Sequence, residues 1–413
     1  MQSERFSHGL WAAAAIFMLI LFATSTSAVA EKILYSFQSG TDGAYPSAGL
    51  IFDGSGNLYG VTSYGGAYSG GTVFELTPKG GGWTETILHS FGNGEDGSTP
   101  DTPLILDGSG NLYGMTQKGG TDTYGTVFEL TPKAGGGWTE KVLHNFDGTT
   151  GGSPRAGLIF DGSGNLYGTT PIGGVYSYGT VFELTPKAGG GWTQKVLHNF
   201  NSKDGANPYA GVIFDGDGNL YGTTSAGGSD TVGTVFELTP KTGGSWTEKV
   251  LHSFKLGPNN HGAVPYGGLI FDASGNLYGT TAEGSTDGYG TVFELSPKTG
   301  GGWTAKVLHS FTGPNGNLPE ATLAFLDGNL YGTTFTGGDL GACTGGCGVV
   351  FELIPGTNGH WTERVLHSFT NNVNGVDGAI PVGTPIFDSA GNLYGATTGG
   401  GTDTFGTVFQ IKP

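Results

Sequence analysis

The sequence predicts an all-β fold, a seven-bladed β-propeller with four strands per blade, closed by the N-terminal strand completing the last blade. Three observations predict it. The string Gly-Asn-Leu-Tyr-Gly recurs with its Asn at Asn57, Asn111, Asn165, Asn219, Asn276, Asn329 and Asn392, at spacings of 54, 54, 54, 57, 53 and 63 residues. A period of this length marks a solenoid, a propeller or an array. Each unit holds four short runs of strand composition, and about 50 residues with four strands is the size of a propeller blade. Finally, the last unit stops at Phe409-Gln410-Ile411-Lys412-Pro413 without a fourth run, while Glu31-Lys32-Ile33-Leu34-Tyr35-Ser36-Phe37 matches the fourth run written at Glu248 to Phe254. An orphan strand at the front that fits a gap at the back closes a ring and removes two unpaired edges. An open β-solenoid, the main rival, has no use for that permutation and needs caps at both ends.

The third unit shows the elements in order. Gly157 to Asp161 is a short apolar run, expected to be the innermost strand, sandwiched between neighbouring sheets. Gly162-Ser163-Gly164 is a turn, and Asn165 to Thr170 is the second run. A Gly-rich loop through Gly173-Gly174 leads to the third, Thr180 to Leu184, and a turn over 185–191 leads to the fourth, Trp192 to Phe200. Val, Ile, Phe, Tyr and Thr bounded by Gly, Pro, Asp and Asn are strand signals. No segment sustains a helical period.

Segment 1–30 reads as a secretory signal. Arg5 and His8 precede an apolar run from Leu10 to Ala23, and Ala28-Val29-Ala30 offers small residues before a cleavage ahead of Glu31. The run is short for a membrane span, which needs about 20 apolar residues, and no later segment is apolar enough. Domain 31–413 is expected to be one propeller, secreted or extracellular. A monomer is expected. The net charge of -17, with 17 Lys+Arg, makes nucleic acid an unfitting partner. Gly and Pro, 82 and 19 of 413 residues, approach low-complexity levels, but 12% aromatics argue for a folded chain.

The motifs Pro-x-Ala-Gly-Leu-Ile-Phe-Asp, Gly-Asn-Leu-Tyr-Gly-Thr-Thr and Gly-Thr-Val-Phe-Glu-Leu resemble the tandem repeat of the GloVer-containing choice-of-anchor proteins over essentially the whole of 31–413. The resemblance implies an exported bacterial repeat protein with no defined activity, and it supplies no catalytic residues. Many relatives carry a C-terminal sorting anchor, whereas this sequence stops at Pro413, directly after the last unit. The inner-strand pattern is more loosely similar to NHL-type propeller repeats.

Several repeated residues invite chemistry and read better as structure. Six units carry Glu in the third strand (Glu75, Glu129, Glu183, Glu237, Glu294, Glu352) and His in the fourth (His89, His144, His198, His252, His309, His367). In the closing unit both change together, to Gln410 and Tyr35, which predicts that Glu and His pair within a blade. The histidines are expected far apart on the outermost strands, so no metal is expected. The turn Asp215-Gly216-Asp217-Gly218-Asn219 resembles part of a Ca²⁺ loop but lacks flanking helices and the closing Glu, and a tight hairpin explains it. No cofactor is expected. Cys343 and Cys347 lie in an insertion of the sixth unit, and in an exported chain such a pair predicts a disulfide.

Function in a repeat ring belongs where the repeats differ. The residue after the recurring Pro before the first strand is Ser47, Asp101, Arg155, Tyr209, Tyr266, Glu320 and Val382 in turn. A second variable column, between strands two and three, is Tyr64, Lys118, Ile172, Ala226, Glu283, Thr336 and Gly399. Both columns are expected on one channel mouth. The candidate ligand-binding set is therefore Asp101, Arg155, Tyr209, Tyr266, Glu320, Lys118 and Glu283. Aromatic rings and carboxylates in a cleft suit a sugar, so polysaccharide or a cell-surface component is the expected partner. A non-catalytic binder is the first reading. A carbohydrate-active enzyme is the second: paired carboxylates serve glycoside hydrolysis, and Arg, Lys and Tyr serve a polysaccharide lyase by moving a proton beside a neutralised uronate.

Overall fold

The computed structural model describes residues 31–257, 261–371 and 377–413. The segment read as a secretory signal, 1–30, lies outside the described residues. Seven antiparallel sheets form the molecule, one per repeat, and six of them run from an inner to an outer strand in chain order, while the seventh takes its outer strand from the N-terminal end of the described residues. In the third blade the strands are Ile159–Phe160, Leu166–Thr170, Thr180–Pro186 and Trp192–Asn199. Among the described residues no helix is long and apolar enough to cross a membrane.

The ring closes as the ends of the sequence predict. Strand Glu31–Ser36 pairs antiparallel with Thr407–Ile411, in the register Lys32 to Gln410 and Ser36 to Thr407. It forms the outer edge of the sheet that contains Gly378–Phe387 and Leu393–Gly400.

Phenylalanines pack the blades together. Each third strand carries a buried Phe, and each fourth strand is followed by another, which meets the next blade's Phe edge-on or tilted. The seven pairs are Phe37–Phe74, Phe91–Phe128, Phe146–Phe182, Phe200–Phe236, Phe254–Phe293, Phe311–Phe351 and Phe369–Phe409, with centroids 4.9–5.3 Å apart. Phe37 directly follows the N-terminal strand, so this contact also crosses the closure. The glycine of Gly-Asn-Leu-Tyr-Gly makes room for the ring within its own blade: a Cβ on Gly60 would lie 2.5 Å from Phe74 Cζ.

Two expectations need correction. The innermost strand does not run through Gly157 to Asp161, since only Ile159 and Phe160 pair with strand two. The residues before them bulge out of the sheet. In addition, the third-strand Glu does not pair with the fourth-strand His. Glu75, Glu129, Glu183, Glu237 and Glu352 accept instead from the strand-two tyrosines Tyr59, Tyr113, Tyr167, Tyr221 and Tyr331 at 2.7–3.2 Å. His89, His198 and His367 meet Asp96, Asp204 and Asp377, in the connection to the next blade, at 3.0–3.2 Å. The Glu and the His lie at different positions along the paired strands: His89 is opposite Val73, and Thr86 is opposite Glu75. The joint change in the closing blade keeps each contact separately: Gln410 Nε2 donates to Tyr394 Oη at 2.7 Å, and Tyr35 Oη donates to Asp42 Oδ2 at 3.2 Å.

Candidate functional site at the channel mouth

The bulge in the first strand builds the site. In the first blade Ala44–Pro46 and Ile51–Phe52 both pair with Leu58–Tyr64, but Pro46 faces Thr62 while Ile51 faces Tyr59. Five steps on one strand span three on the other, so two residues are extruded. The seventh blade shows the same shift, between Val382 and Ile386. The variable residue follows the Pro at the start of each bulge and is thereby aimed away from the sheet, towards the ring axis.

The residue before that Pro has a left-handed backbone in every blade: Tyr45, Thr99, Ser153, Asn207, Val264, Leu318 and Ile380 lie at φ 51–60°. Such a φ is costly for β-branched residues such as Val264 and Ile380. The backbone N–H of each strained residue donates to a carbonyl of the preceding blade at 2.7–3.2 Å, Val264 to Val232 and Ile380 to Cys347 among them. Each strained turn therefore latches one blade to the next and sets the height of the side chain that follows.

These bulges surround a cavity of about 580 Å³. Its lining includes the complete first variable column, Ser47, Asp101, Arg155, Tyr209, Tyr266, Glu320 and Val382. Asp101 Oδ1 accepts from Ser63 Oγ at 3.3 Å. Burial pushes the Asp101 carboxyl above its ordinary value, although Ser47, Arg155, Ser63 and Lys118 all favour the ionised form. Burial likewise raises Glu320, with Arg155 opposing. Burial raises the Tyr266 hydroxyl, and Glu320 adds to it. The Tyr209 and Tyr266 rings meet edge-on at 5.3 Å, and the Arg155 guanidinium lies 5.6 Å from the Tyr209 centroid.

The second variable column behaves differently. Lys118 and Glu283 are exposed and do not line the cavity. Their charges still reach Asp101 and Tyr266 from the rim. Successive strand residues point to opposite sides, so the neighbours one position earlier turn inwards. Ser63, Phe335 and Thr398 of that earlier column line the cavity. Gln117, from the same column, faces Arg155: with its amide oriented by the hydrogen-bond network, its oxygen accepts from Arg155 Nη2 at 2.6 Å and Nε at 2.5 Å. Its signal was present in the sequence, because Ser63, Gln117, Pro171, Ser225, Ala282, Phe335 and Thr398 vary from unit to unit as freely as their neighbours.

The other candidates fall into structural roles. Asp53 Oδ1 accepts from the Ser55 and Asn57 backbones, and its Oδ2 accepts from Asn57 Nδ2 and shares the single Tyr59 hydroxyl proton with Glu75; Asp215 repeats the pattern with Asp217, Asn219 and Tyr221. Cys343 and Cys347 form a disulfide, with Cα atoms 5.3 Å apart. Glu31, His367 and Asp377 offer ligand atoms within 4.8 Å of one another. Asp377, however, already accepts from His367 Nε2, the Thr370 backbone and hydroxyl, and its neighbour Gly378. Four bonds fill a carboxylate's acceptor sites.

The sequence profile of the Gloeobacter/Verrucomicrobia repeat matches residues 20–161, 135–344 and 210–413. The chain belongs to this repeat family. No curated protein matches it by sequence. Among solved structures the repeat ring is similar to an ancestral GH74 enzyme, with a TM-score of 0.57 and 12% identity over 90% of this chain. The chain spans 48% of that enzyme's length. It is also similar to a Bacteroides uniformis protein that carries the name of a 6-phosphogluconolactonase, with a TM-score of 0.51 and 14% identity over 84% of this chain and 89% of the other. At such identities the likeness is one of fold, and a propeller hosts many functions.

Proposed function

We propose that the protein is an exported propeller that binds extracellular glycan at the channel mouth without turning it over. One observation carries this reading: in a ring of nearly identical blades, Asp101, Arg155, Tyr209, Tyr266 and Glu320 differ from blade to blade and share one cavity. Tyrosine faces suit sugar rings, and carboxyl, hydroxyl and guanidinium groups suit sugar hydroxyls. Segment 1–30 as a secretory signal and the Cys343–Cys347 disulfide both agree with an oxidising compartment. The test is mass spectrometry of a polysaccharide panel incubated with the protein, followed by affinity measurement on the same panel. Saturable binding with no new oligosaccharide is expected. A panel that shows neither binding nor products would remove the reading.

The second reading, a carbohydrate-active enzyme at the same place, is favoured by two carboxyls that burial raises within one cavity. A carboxyl that burial makes harder to ionise is suited to the role of a general acid. Release of oligosaccharide that is lost in both Asp101→Asn and Glu320→Gln, each still folded, would put this reading first. Unsaturated products would mark a lyase and saturated ones a hydrolase. Turnover unchanged in both variants would reject these two residues.

A further inference from the structure

Among the described residues Arg155 is the only Lys or Arg in the lining of the cavity. No ion pair among the described residues involves it. It is nevertheless held in place. The Gln117 amide oxygen accepts from Nε and Nη2, and the guanidinium sits over the Tyr209 ring. A guanidinium has five N–H donors in a planar fork. Gln117 occupies one on Nε and one on Nη2, which leaves the end-on pair of Nη1 and Nη2 free. An acid in the place of Gln117 would pair with the charge; a neutral amide orients the group without an ion pair, and the Asp101 and Glu320 carboxyls act on it only from a distance. The free edge matches a planar carboxylate in bidentate contact.

We infer that Arg155, positioned by Gln117 and Tyr209, reads a carboxylate, and that the glycan taken by the channel mouth is built of uronic acid units. This inference rests on the sugar-binding reading above and narrows it. The rest of the cavity favours a single negative charge on the ligand. Asp101 and Glu320 flank the site, so a doubly charged phosphate or a densely sulfated chain meets more repulsion than a carboxylate does. The two tyrosines provide apolar faces for the pyranose that bears the carboxylate.

The test compares sugars that differ only in charge. Oligomers of galacturonate, of mannuronate and guluronate, and of glucuronate are titrated calorimetrically beside their carboxyl-reduced counterparts and beside a chitosan oligomer. At least one acid oligomer is expected to bind about tenfold or more tightly than its reduced form. Arg155→Gln is expected to abolish that difference, because the acid form loses more affinity than the reduced form does. Gln117→Leu is expected to shrink the difference without removing it. Both variants alter polar groups at the mouth, and far-UV circular dichroism checks that they fold. A reduced oligomer or chitosan that binds as tightly as the acid overturns the inference and leaves the sugar reading in place. So does a preference for the acid that survives in Arg155→Gln. Failure of every oligomer to bind removes the sugar reading and the inference together.

Discussion

Tyr209 joins the two polar ends of the mouth, because one face of its ring lies under Arg155 and its edge or face meets Tyr266. A cation over an aromatic ring is worth about 0.5–2 kcal/mol and an aromatic pair about 0.5–1.5 kcal/mol beyond area burial. If the mouth takes glycan as proposed, Tyr209→Ala should therefore weaken glycan affinity by about tenfold or more, while Tyr209→Phe, which keeps the ring, should stay within about threefold. Calorimetric titration of both variants checks this, and equal losses would mean that the hydroxyl, not the ring, does the binding. The residue scale is also where sequence reading reaches its limit. The column containing Asp101, Arg155, Tyr209, Tyr266 and Glu320 was legible because each of these residues follows a recurring Pro. The second column was read one residue late. Lys118 points outwards and Gln117 meets Arg155, and variability alone does not say which of two adjacent residues faces inwards. That choice depends on strand parity, which the bulge in the first strand resets.

At the scale of the element, the contacts between blades are the ones with measurable consequences. Phe128 is fully buried against Phe91 of the preceding blade. Phe128→Ala should cost about 3–5 kcal/mol, as other buried Phe→Ala changes do, read as a lower denaturation midpoint in urea. The fourth strands carry a second interblade feature. Glu140 has its Oε1 buried without a partner, in the field of Asp96 from the previous interface, and Asp96 is itself bonded to His89. Burial, with Asp96 adding to it, raises Glu140 from 4.5 to about 7. Glu31, Glu85, Glu248 and Glu363 share both features, an unpartnered buried oxygen and a rise to about 7. A carboxyl raised on folding contributes stability that is complete below about 4.5 and is lost as pH rises through about 7. The lowered histidines act in the opposite sense. His252 and His309 fall to about 4 through burial, so they lose stability as pH drops from about 6.5 to about 4. The two sets oppose each other between about 4.5 and 6.5, so a single variant gives a cleaner reading than the whole pH profile. Glu140→Gln should match the parent at pH 5 and exceed it at pH 8 by about 1–2 kcal/mol, a value discounted because part of the carboxyl meets water. Parallel stability curves for the two proteins across that range would show that Glu140 does not titrate on folding. The Glu–His pairing expected from sequence failed for a reason at this same scale: co-variation in one blade showed that both contacts change together, but not that each has a different partner.

For the whole molecule, the number of blades, their strand order and the closure were legible because a period near 54 residues and the displaced fourth strand are properties of the chain as a line. The cavity was legible only as a ring of variable positions. Its depth and charge come from bulges and latches, among them Val264 N–H to Val232 and Ile380 N–H to Cys347, that no single repeat displays. Closure leads to the last prediction. Strand Glu31–Ser36 is held in place by five register pairs with Thr407–Ile411, by Leu34 in the core with Leu50 and Leu58, and by Phe37 against Phe74. The chain connection from Phe37 onwards adds continuity with the first blade. In every other blade the fourth strand instead follows the third directly, as Trp138–Asn145 follows Thr126–Pro132 through the turn 133–137. If side-chain packing and register position the closing strand, its covalent attachment is interchangeable. A permuted chain that begins at Phe37 and carries residues 31–36 after Pro413, joined by the Lys133–Gly137 turn sequence, should then fold to the same ring. Its thermal midpoint should lie within about 5 °C of the parent, because exchanging one short loop for another changes closure entropy by less than about 1 kcal/mol. Removing residues 31–36 outright should instead expose the edge of Thr407–Ile411, and such edges pair with other chains. That deletion should lower the midpoint by more than about 10 °C and produce higher oligomers on size-exclusion chromatography. A permuted chain that aggregates like the deletion would show that the connection at Phe37 is what closes the ring.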